Sequence, residues 1–376
     1  MERVAVGLIG TGFMGKCCAL AFGSVTAVFG PPLRPELELL CDIDAEAAEK
    51  LADQFGFKRW TDDWRVLVVD PAVDVVVITA PNALHKAMAL AAISAGKHVY
   101  CEKPMSLTLA DATEMAAAAA RADVKTLVGY SYLRNPAVGY ARRLIEAGEI
   151  GEIVSFRGVC DEDYMAGPDR PRTWRCRVED AGTGTLGDLA SHLISVAQYL
   201  VGPVDAVCGQ TETVYKRRPI PGRPGETGPV ENEDMASALV RFANGVTGTF
   251  ASSRIAWGRK NHLAWEVNGT RGAIAFDQER MNELRLFRAD ETAADQGFRT
   301  ILTGPQHPPY GQFCPAPGHG LGFNEQKVVE VAHLLNGLAG LEPLYPDFDD
   351  ALGIERVIHA IAASAKTRNW VGTRRE

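Results

Sequence analysis

The segment Arg3-Val-Ala-Val-Gly-Leu-Ile-Gly10-Thr-Gly12-Phe-Met-Gly15 constrains this chain more than any other. An apolar, β-branched run passes directly into Gly-x-Gly-x-x-Gly, and an Ala- and Leu-rich stretch from Lys16 to Phe22 follows at helical spacing. Strand, tight turn and helix in that order open a βαβ unit that holds a dinucleotide. Gly10 permits the turn, Gly12 lets the backbone approach a pyrophosphate, and Gly15 lets the helix pack on the strand. The phosphates then sit on a helix N-terminus.

The next segments extend the pattern. Gly23 to Pro35 carries Pro31, Pro32 and Pro35 and reads as a loop. Strand Glu36–Cys41 ends in Asp42-Ile43-Asp44. A carboxylate at this strand end hydrogen-bonds adenosine ribose hydroxyls and repels a 2′-phosphate, so Asp42 favours NAD over NADP. The alternative, that an Asp merely caps the helix Ala45–Gln54, is preferred for Asp44. Strand Asp74–Thr79, a helix entered through Pro81-Asn82 and carrying His85, and strand Gly96–Cys101 with Glu102-Lys103-Pro104 follow. An Ala-rich helix opened by Ser106 and Asp111, then strand Lys125–Gly129, complete an α/β Rossmann domain, a doubly wound parallel sheet, over residues 1–127. Ligands of such sheets gather at the strands' carboxyl ends, where Asp42, Asn82 and Lys103 fall.

At 376 residues the chain has room for a second domain, 128–376. There, helix Ala137–Glu146 and strand Ile153–Val159 precede a loop-rich stretch and a helix, Asp188–Val201. Strands Ala206–Tyr215, Met235–Phe242, Gly245–Ser253, His262–Asn268, Gly272–Asp277 and Glu283–Phe287 have few helices between them. They predict an α+β domain with a large open, mostly antiparallel sheet. The Pro- and Gly-rich loop 303–320 is long enough to suggest a function.

The formal charge of −8 argues against nucleic acid or an anionic membrane as partner. No run approaches the ~20 apolar residues of a membrane span, and the chain enters a strand at once, so a cytoplasmic protein is expected. Eight cysteines without a Cys-x-x-Cys pair read as reduced, mostly buried thiols.

Asp188 and His192 are four apart at a helix start, behind the accessible run Gly182-Thr-Gly184-Thr. A carboxylate near a helix N-terminus stays ionised and favours a protonated imidazole, which makes His192 a base for an alcohol proton. Lys103 could bridge the nicotinamide region and a substrate hydroxyl. The bland alternatives are a helix cap for Asp188, a core or surface histidine for His192 and a solvated turn for Lys103. Asp-x-x-x-His also suits a metal, but no further ligand has convincing spacing, and none is expected.

Gly10-Thr-Gly12-Phe-Met-Gly15, Pro81-Asn82-x-x-His85, Gly96-Lys-His-Val-x-x-Glu102-Lys103-Pro104, Gly148-x-Ile-Gly151 and Gly187-Asp188-x-x-x-His192 together resemble the glucose–fructose oxidoreductase / inositol dehydrogenase (Gfo/Idh/MocA) family over nearly the whole chain. The resemblance implies a catalytic triad of Lys103, Asp188 and His192 and a cis bond before Pro104. It also implies NAD held by Gly10, Gly12, Phe13, Met14, Gly15, Asp42, Ile43, Thr79, Pro81, Asn82, His85, Glu102 and Lys103. Its second domain often forms dimers and tetramers, so a homo-oligomer, tetrameric in the fuller form, is expected.

Narrower blocks, Asp161-Glu-Asp-Tyr-Met165, Trp174-Arg175, Asp277–Glu283, Phe298–Pro305 and His319-x-x-Gly-Phe-Asn-Glu-Gln-Lys327, resemble scyllo-inositol dehydrogenases that also oxidise L-glucose. Levoglucosan dehydrogenases share a weaker form of these blocks. By this resemblance a small polyol or sugar would meet Lys103, Tyr130, Tyr164, Arg175, Asp188, His192 and His319, the last across a subunit boundary. Two departures stand out. Many members carry His where Cys18 stands, and Asp where Ser195 stands. The second removes an acceptor for one substrate hydroxyl and bears on the substrate more than on the reaction. Two rival readings keep the fold: NAD-assisted glycoside cleavage, and a non-catalytic sugar or dinucleotide sensor.

Overall fold

The computed structural model describes residues 2–290 and 292–374. The chain forms two compact units, Met1–Arg134 with Gly322–Leu352, and Asn135–Leu321 with Gly353–Glu376. The first unit thus runs past residue 127 and takes back Gly322–Leu352, a stretch expected in the second domain.

In the first unit, β1 (Glu2–Ile9), β2 (Leu33–Cys41), β3 (Arg59–Thr61), β4 (Val75–Ile78), β5 (His98–Cys101) and β6 (Thr126–Val128) form a parallel sheet ordered β3-β2-β1-β4-β5-β6. This is the doubly wound sheet expected. All of β4 is buried, as a strand covered on both faces must be. The crossovers carry α1 (Phe13–Phe29), α2 (Ala45–Phe55), α3 (Trp64–Val69), α4 (Asn82–Ser94) and α5 (Leu109–Arg121). The loop expected over 23–35 is instead mostly helix. Gly23, Ser24 and the β-branched Val25, Thr26 and Val28 are weak helix formers, but burial of Ala21, Phe22 and Val25 outweighs propensity. Gly30, at φ 54°, ends the helix in the left-handed region. Pro35 lies within β2, where β3 does not yet pair, so a missing N–H is tolerated.

In the second unit, Asn135 caps α6 (Pro136–Glu146), its side chain accepting the Ala137 N–H at 2.8 Å. The remaining helices are α7 (Val178–Ala181), α8 (Ser191–Val201), entered through a π-helical turn at Leu186–Ala190, and α9 (Tyr310–Phe313). The strands are β7 (Ile153–Asp161), β8 (Val204–Glu212), β9 (Arg217–Pro219), β10 (Thr227–Pro229), β11 (Met235–Phe242), β12 (Thr247–Ser253), β13 (His262–Gly269), β14 (Gly272–Asp277), β15 (Glu283–Arg288), β16 (Arg299–Leu302) and β17 (Val371–Gly372). Nine of them form one sheet, ordered β16-β15-β14-β13-β7-β12-β11-β8-β17, and β9 and β10 form a separate hairpin. Only β7 and β12 pair in parallel among the described strands of this sheet. The alternation on β11 shows the two faces: Ala236, Ala238, Val240 and Phe242 are buried, Met235 and Leu239 exposed. α6 and α8 pack on this sheet. Gly158 of β7 makes room for α8, since a Cβ there would stand 2.3 Å from Leu193 Cδ1.

The chain ends with α10 (Phe323–Leu338) and α11 (Phe348–Thr367). α10 lies along α1 in the first unit, with Phe323 stacked on Phe13 at 5.6 Å between ring centroids. α11 belongs to the first unit as far as Leu352; beyond that, Ser364 accepts the Gly209 N–H of β8 at 2.8 Å. On α10, His333 Nε2 accepts the Tyr345 N–H at 3.0 Å, and Nδ1 lies 3.2 Å from Glu342 Oε1. Burial, together with the charge of Arg134, pushes this imidazole down to about 4. A histidine depressed in the folded state contributes stability that is present above its unfolded value and is lost as pH falls toward the folded one. Stability should therefore fall between pH 6.5 and 4, with this residue supplying about 3 kcal/mol. His333→Gln should flatten that slope in urea titrations, and parallel slopes for the two proteins would refute the assignment.

Candidate functional site

Each glycine of the opening turn meets a distinct constraint. Gly10, at φ 99°, donates to Cys41 O at 2.8 Å, and a Cβ on it would lie 2.9 Å from Thr79 O. A Cβ on Gly15 would stand 2.1 Å from Gly10 O, so only glycine lets α1 start against the strand. Gly12 has nothing within 4 Å of where a Cβ would be. It leaves the bare backbone at the N-terminus of α1, with Met14 in the first turn, that a pyrophosphate requires. Thr79 closes the turn, its hydroxyl 2.9 Å from Ile9 O and 3.0 Å from Gly10 O.

Asp42 stands at the end of β2. Its Oδ2 accepts the Thr11 N–H at 2.8 Å and hydroxyl at 2.6 Å, and its Oδ1 accepts the Asp44 N–H at 3.2 Å. A carboxylate offers about four lone-pair sites, so acceptor capacity remains for ribose hydroxyls. Asp44 caps α2, as expected, accepting the Ala47 N–H at 3.1 Å. Phe13 and Ile43 are exposed near these strand ends. Pro81 precedes α4 and Asn82 is its first residue. His85 is buried with its ring nitrogens each 2.9 Å from a carbonyl, Pro104 O and Ala80 O. It binds together the two backbone segments that carry Asn82 and Lys103, and burial holds it below the ordinary imidazole range. Glu102 is buried against Lys327, the Lys103–Pro104 peptide is cis as expected, and Tyr130 is fully buried.

The other candidates, Tyr164, Arg175, Asp188, His192 and His319, belong to the second unit. The π-turn that carries Asp188 is fixed from outside: Glu233 Oε1 accepts the Gly184 N–H at 2.7 Å and the Leu186 N–H at 3.0 Å, and Glu233 O accepts from Thr185 at 3.0 Å. Burial raises the Glu233 carboxyl above the usual range, and those N–H donors pull against it. Tyr164 donates to Asp188 Oδ2 at 2.7 Å, and Arg175 Nε lies 3.5 Å from the same oxygen while its guanidinium covers the Trp174 ring at 4.4 Å. Burial, then the Asp188 charge, keep the Tyr164 phenol protonated and thus a donor. His192 lies one turn on and is nearly buried. Ser195 turns onto its own helix, donating to His192 O at 2.7 Å. His319 is exposed on its loop, with Nδ1 3.3 Å from Pro317 O.

Beneath Tyr164 and Arg175 lies a set of buried charges that carry no sequence signal. Arg254 donates to Asp234 at 2.8 Å, to Asn232 Oδ1 at 3.0 Å and to Arg175 O at 3.1 Å. Arg218, fully buried, donates to Gly167 O at 2.8 Å and Met165 O at 2.5 Å. Neither arginine falls in a motif, and Arg218 sits in a Lys-Arg-Arg run that looks like solvated surface.

A Rossmann unit with a bare Gly12 turn, and a mixed-sheet unit that presents an acid and a histidine from one helix entry, define a nicotinamide-dependent oxidoreductase. Residues 4–130 match the oxidoreductase family with an NAD-binding Rossmann fold, and residues 138–275 match the GFO/IDH/MocA C-terminal domain. A levoglucosan dehydrogenase from Pseudarthrobacter phenanthrenivorans is 39% identical over 99% of this chain and 98% of its own length. A solved levoglucosan dehydrogenase in complex with NADH and L-sorbose superposes with a TM-score of 0.97 at 38% identity, covering 100% of both chains. The scyllo-inositol 2-dehydrogenase (NAD(+)) of Bacillus subtilis is 26% identical over 89% of this chain and 88% of its own. The chain belongs to the Gfo/Idh/MocA oxidoreductase family, and NAD is its cofactor.

A Cβ on Gly184 would stand 2.0 Å from Glu233 O, a backbone atom that cannot swing aside. Gly184→Ala should cost about 1–3 kcal/mol and lower turnover through Asp188; an unchanged melting temperature would count against the lock. In the first unit, Asp42→Ser should narrow the preference for NAD over NADP at least tenfold in kcat/KM, and an unaltered ratio would remove Asp42 from cofactor selection.

Proposed function

We propose that this protein is a dehydrogenase of cyclic polyols or pyranose sugars, oxidising a secondary hydroxyl to the ketone. The observation that carries the reading is the treatment of Asp188, whose Oδ2 is held by Tyr164 and Arg175 on a backbone fixed by Glu233. NAD, when bound, accepts the hydride. His192 takes the hydroxyl proton as general base, and Asp188 offsets the positive charge that the imidazole then carries. Lys103 donates a hydrogen bond to the reacting oxygen. Arg175, Tyr164, Tyr130 and His319 are assigned to the substrate's other hydroxyls. The Rossmann residues from Gly10 to Glu102 hold the dinucleotide.

For the substrate, overall likeness favours an anhydro sugar of the levoglucosan type, the alternative in the sequence reading. The blocks around Tyr164, Arg175 and His319 favour the scyllo-inositol and L-glucose reading. Among the described residues no helix is long and apolar enough to cross a membrane. The open sheet face with Met235 and Leu239 is the surface a homo-oligomer would bury.

The test is reduction of NAD and of NADP with levoglucosan, scyllo-inositol, myo-inositol, L-glucose and D-glucose. Robust turnover of one or more is expected, and His192→Ala should lower kcat by about 10²–10⁴-fold while NADH affinity stays within twofold. Silence across the panel with NADH still bound would transfer the assignment to glycoside cleavage or sensing. Wild-type turnover by His192→Ala would remove His192 as base.

A further inference from the structure

In the first unit, α10 brings one ammonium into the base of the cofactor sheet. Lys327 has no exposed surface, and its Nζ lies 2.6 Å from Glu102 Oε1, 2.7 Å from Glu330 Oε2 and 2.8 Å from Tyr100 Oη. An ammonium has three donors, and all three are used. Tyr100 in turn donates to Glu330 Oε2 at 2.5 Å. Glu102 is the residue before Lys103. Its Oε2 faces the Lys103 N–H at 3.4 Å, and its carboxylate lies flat on Gly129, where a Cβ would come within 2.9 Å of both oxygens.

We infer that Lys327 is a positioning residue for Lys103: it holds the Glu102 side chain in place, and so sets the backbone from which the Lys103 ammonium reaches a substrate oxygen. The inference rests on the role proposed above for Lys103. Three arguments support it. Glu102 is buried, and a carboxyl group withdrawn from water needs its partners inside the protein; Lys327 supplies one at 2.6 Å. The groups facing Lys327 from the packed elements are Cys17 and Cys18 of α1, Tyr100 of β5, Glu102, and Glu330 of α10, and none of them is a second cation. Apolar residues generally fill such a core as well as an ion cluster does, so stability alone is a poor reason for one here. A charge that fixes the residue next to Lys103 is a better one. The same helix also stacks Phe323 on Phe13 beside Gly12, so α10 touches both ends of the cofactor motif within its own unit.

The experiment uses the full-length protein with its lysines reductively ¹³C-methylated, the Lys103 signal being assigned by Lys103→Arg. The variants are Lys327→Met, Lys327→Arg and Glu102→Gln. In Lys327→Met and Glu102→Gln the Lys103 signal should move, while the NADH affinity of Lys327→Met by fluorescence stays within threefold. With the best sugar of the panel, kcat should fall at least tenfold in both, and in Lys327→Met the KM for NAD should change less than threefold. Lys327→Arg should restore most of kcat and the native signal. An unmoved Lys103 signal in folded Lys327→Met would overturn the inference, as would a kcat within twofold of wild type. If Lys327→Met does not fold, Glu102→Gln decides by its Lys103 signal and its kcat, because it leaves Lys327 paired with Glu330. A wild-type protein inert on every sugar would speak against the proposed function, while the Lys103 signal would still decide the role of Lys327.

Discussion

A cation withdrawn from water must find every partner inside the protein, and both units are organised around that demand. In the first, Lys327 is saturated by Tyr100, Glu102 and Glu330. In the second, Arg254 and Arg218 spend their donors on Asp234, on Asn232 and on the carbonyls of Met165, Gly167 and Arg175. Isolated buried charges cost several kcal/mol each, so the surrounding backbone has little freedom once they are in place. Segments that look like loops by composition are thereby tied at several backbone carbonyls. The stretch from Asp161 to Thr185 owes its shape to these arginines more than to any regular element of its own.

Much of the cofactor unit is legible in sequence because its determinants are local. The turn at Gly10, Gly12 and Gly15, the buried run Val75–Ile78 and the cap at Asp44 each depend on residues a few positions apart. What sequence conceals is set at long range. The segment after Phe22 reads as a breaker-rich loop, yet becomes helix because Val25 has a core to enter. β3 and α3 are too short to show a period. In the second unit Asp188 and His192 can be picked out by spacing, but not the π-turn between Leu186 and Ala190, nor Glu233, which holds that turn from elsewhere in the chain. Lys327, by its position in sequence, is one more charged residue on an amphipathic helix.

Asp188 shows how such distant supports shape chemistry. With Tyr164 and Arg175 both directed at Oδ2, the carboxylate is held in one orientation, and Arg175 is itself tied through its carbonyl, which accepts from the buried Arg254 and Asn232. Ser195, which spends its hydroxyl on His192 O, offers a substrate less than a carboxylate would there. Under the proposed function, the choice among the substrate's other hydroxyls would fall to side chains other than Ser195.

The return of Gly322–Leu352 to the first unit also bears on how the protein is made. A ribosome releases the sheet strands β1 to β6 early, with Tyr100 and Glu102 already in the chain, but the ammonium that both of them meet is still to be translated. Until α10 emerges, the nucleotide-binding half has an open flank along α1, and Tyr100 and Glu102 lack their buried partners. The half of the molecule made first is thus completed late, and a chain cut short before α10 would leave the ribosome without the element that closes it.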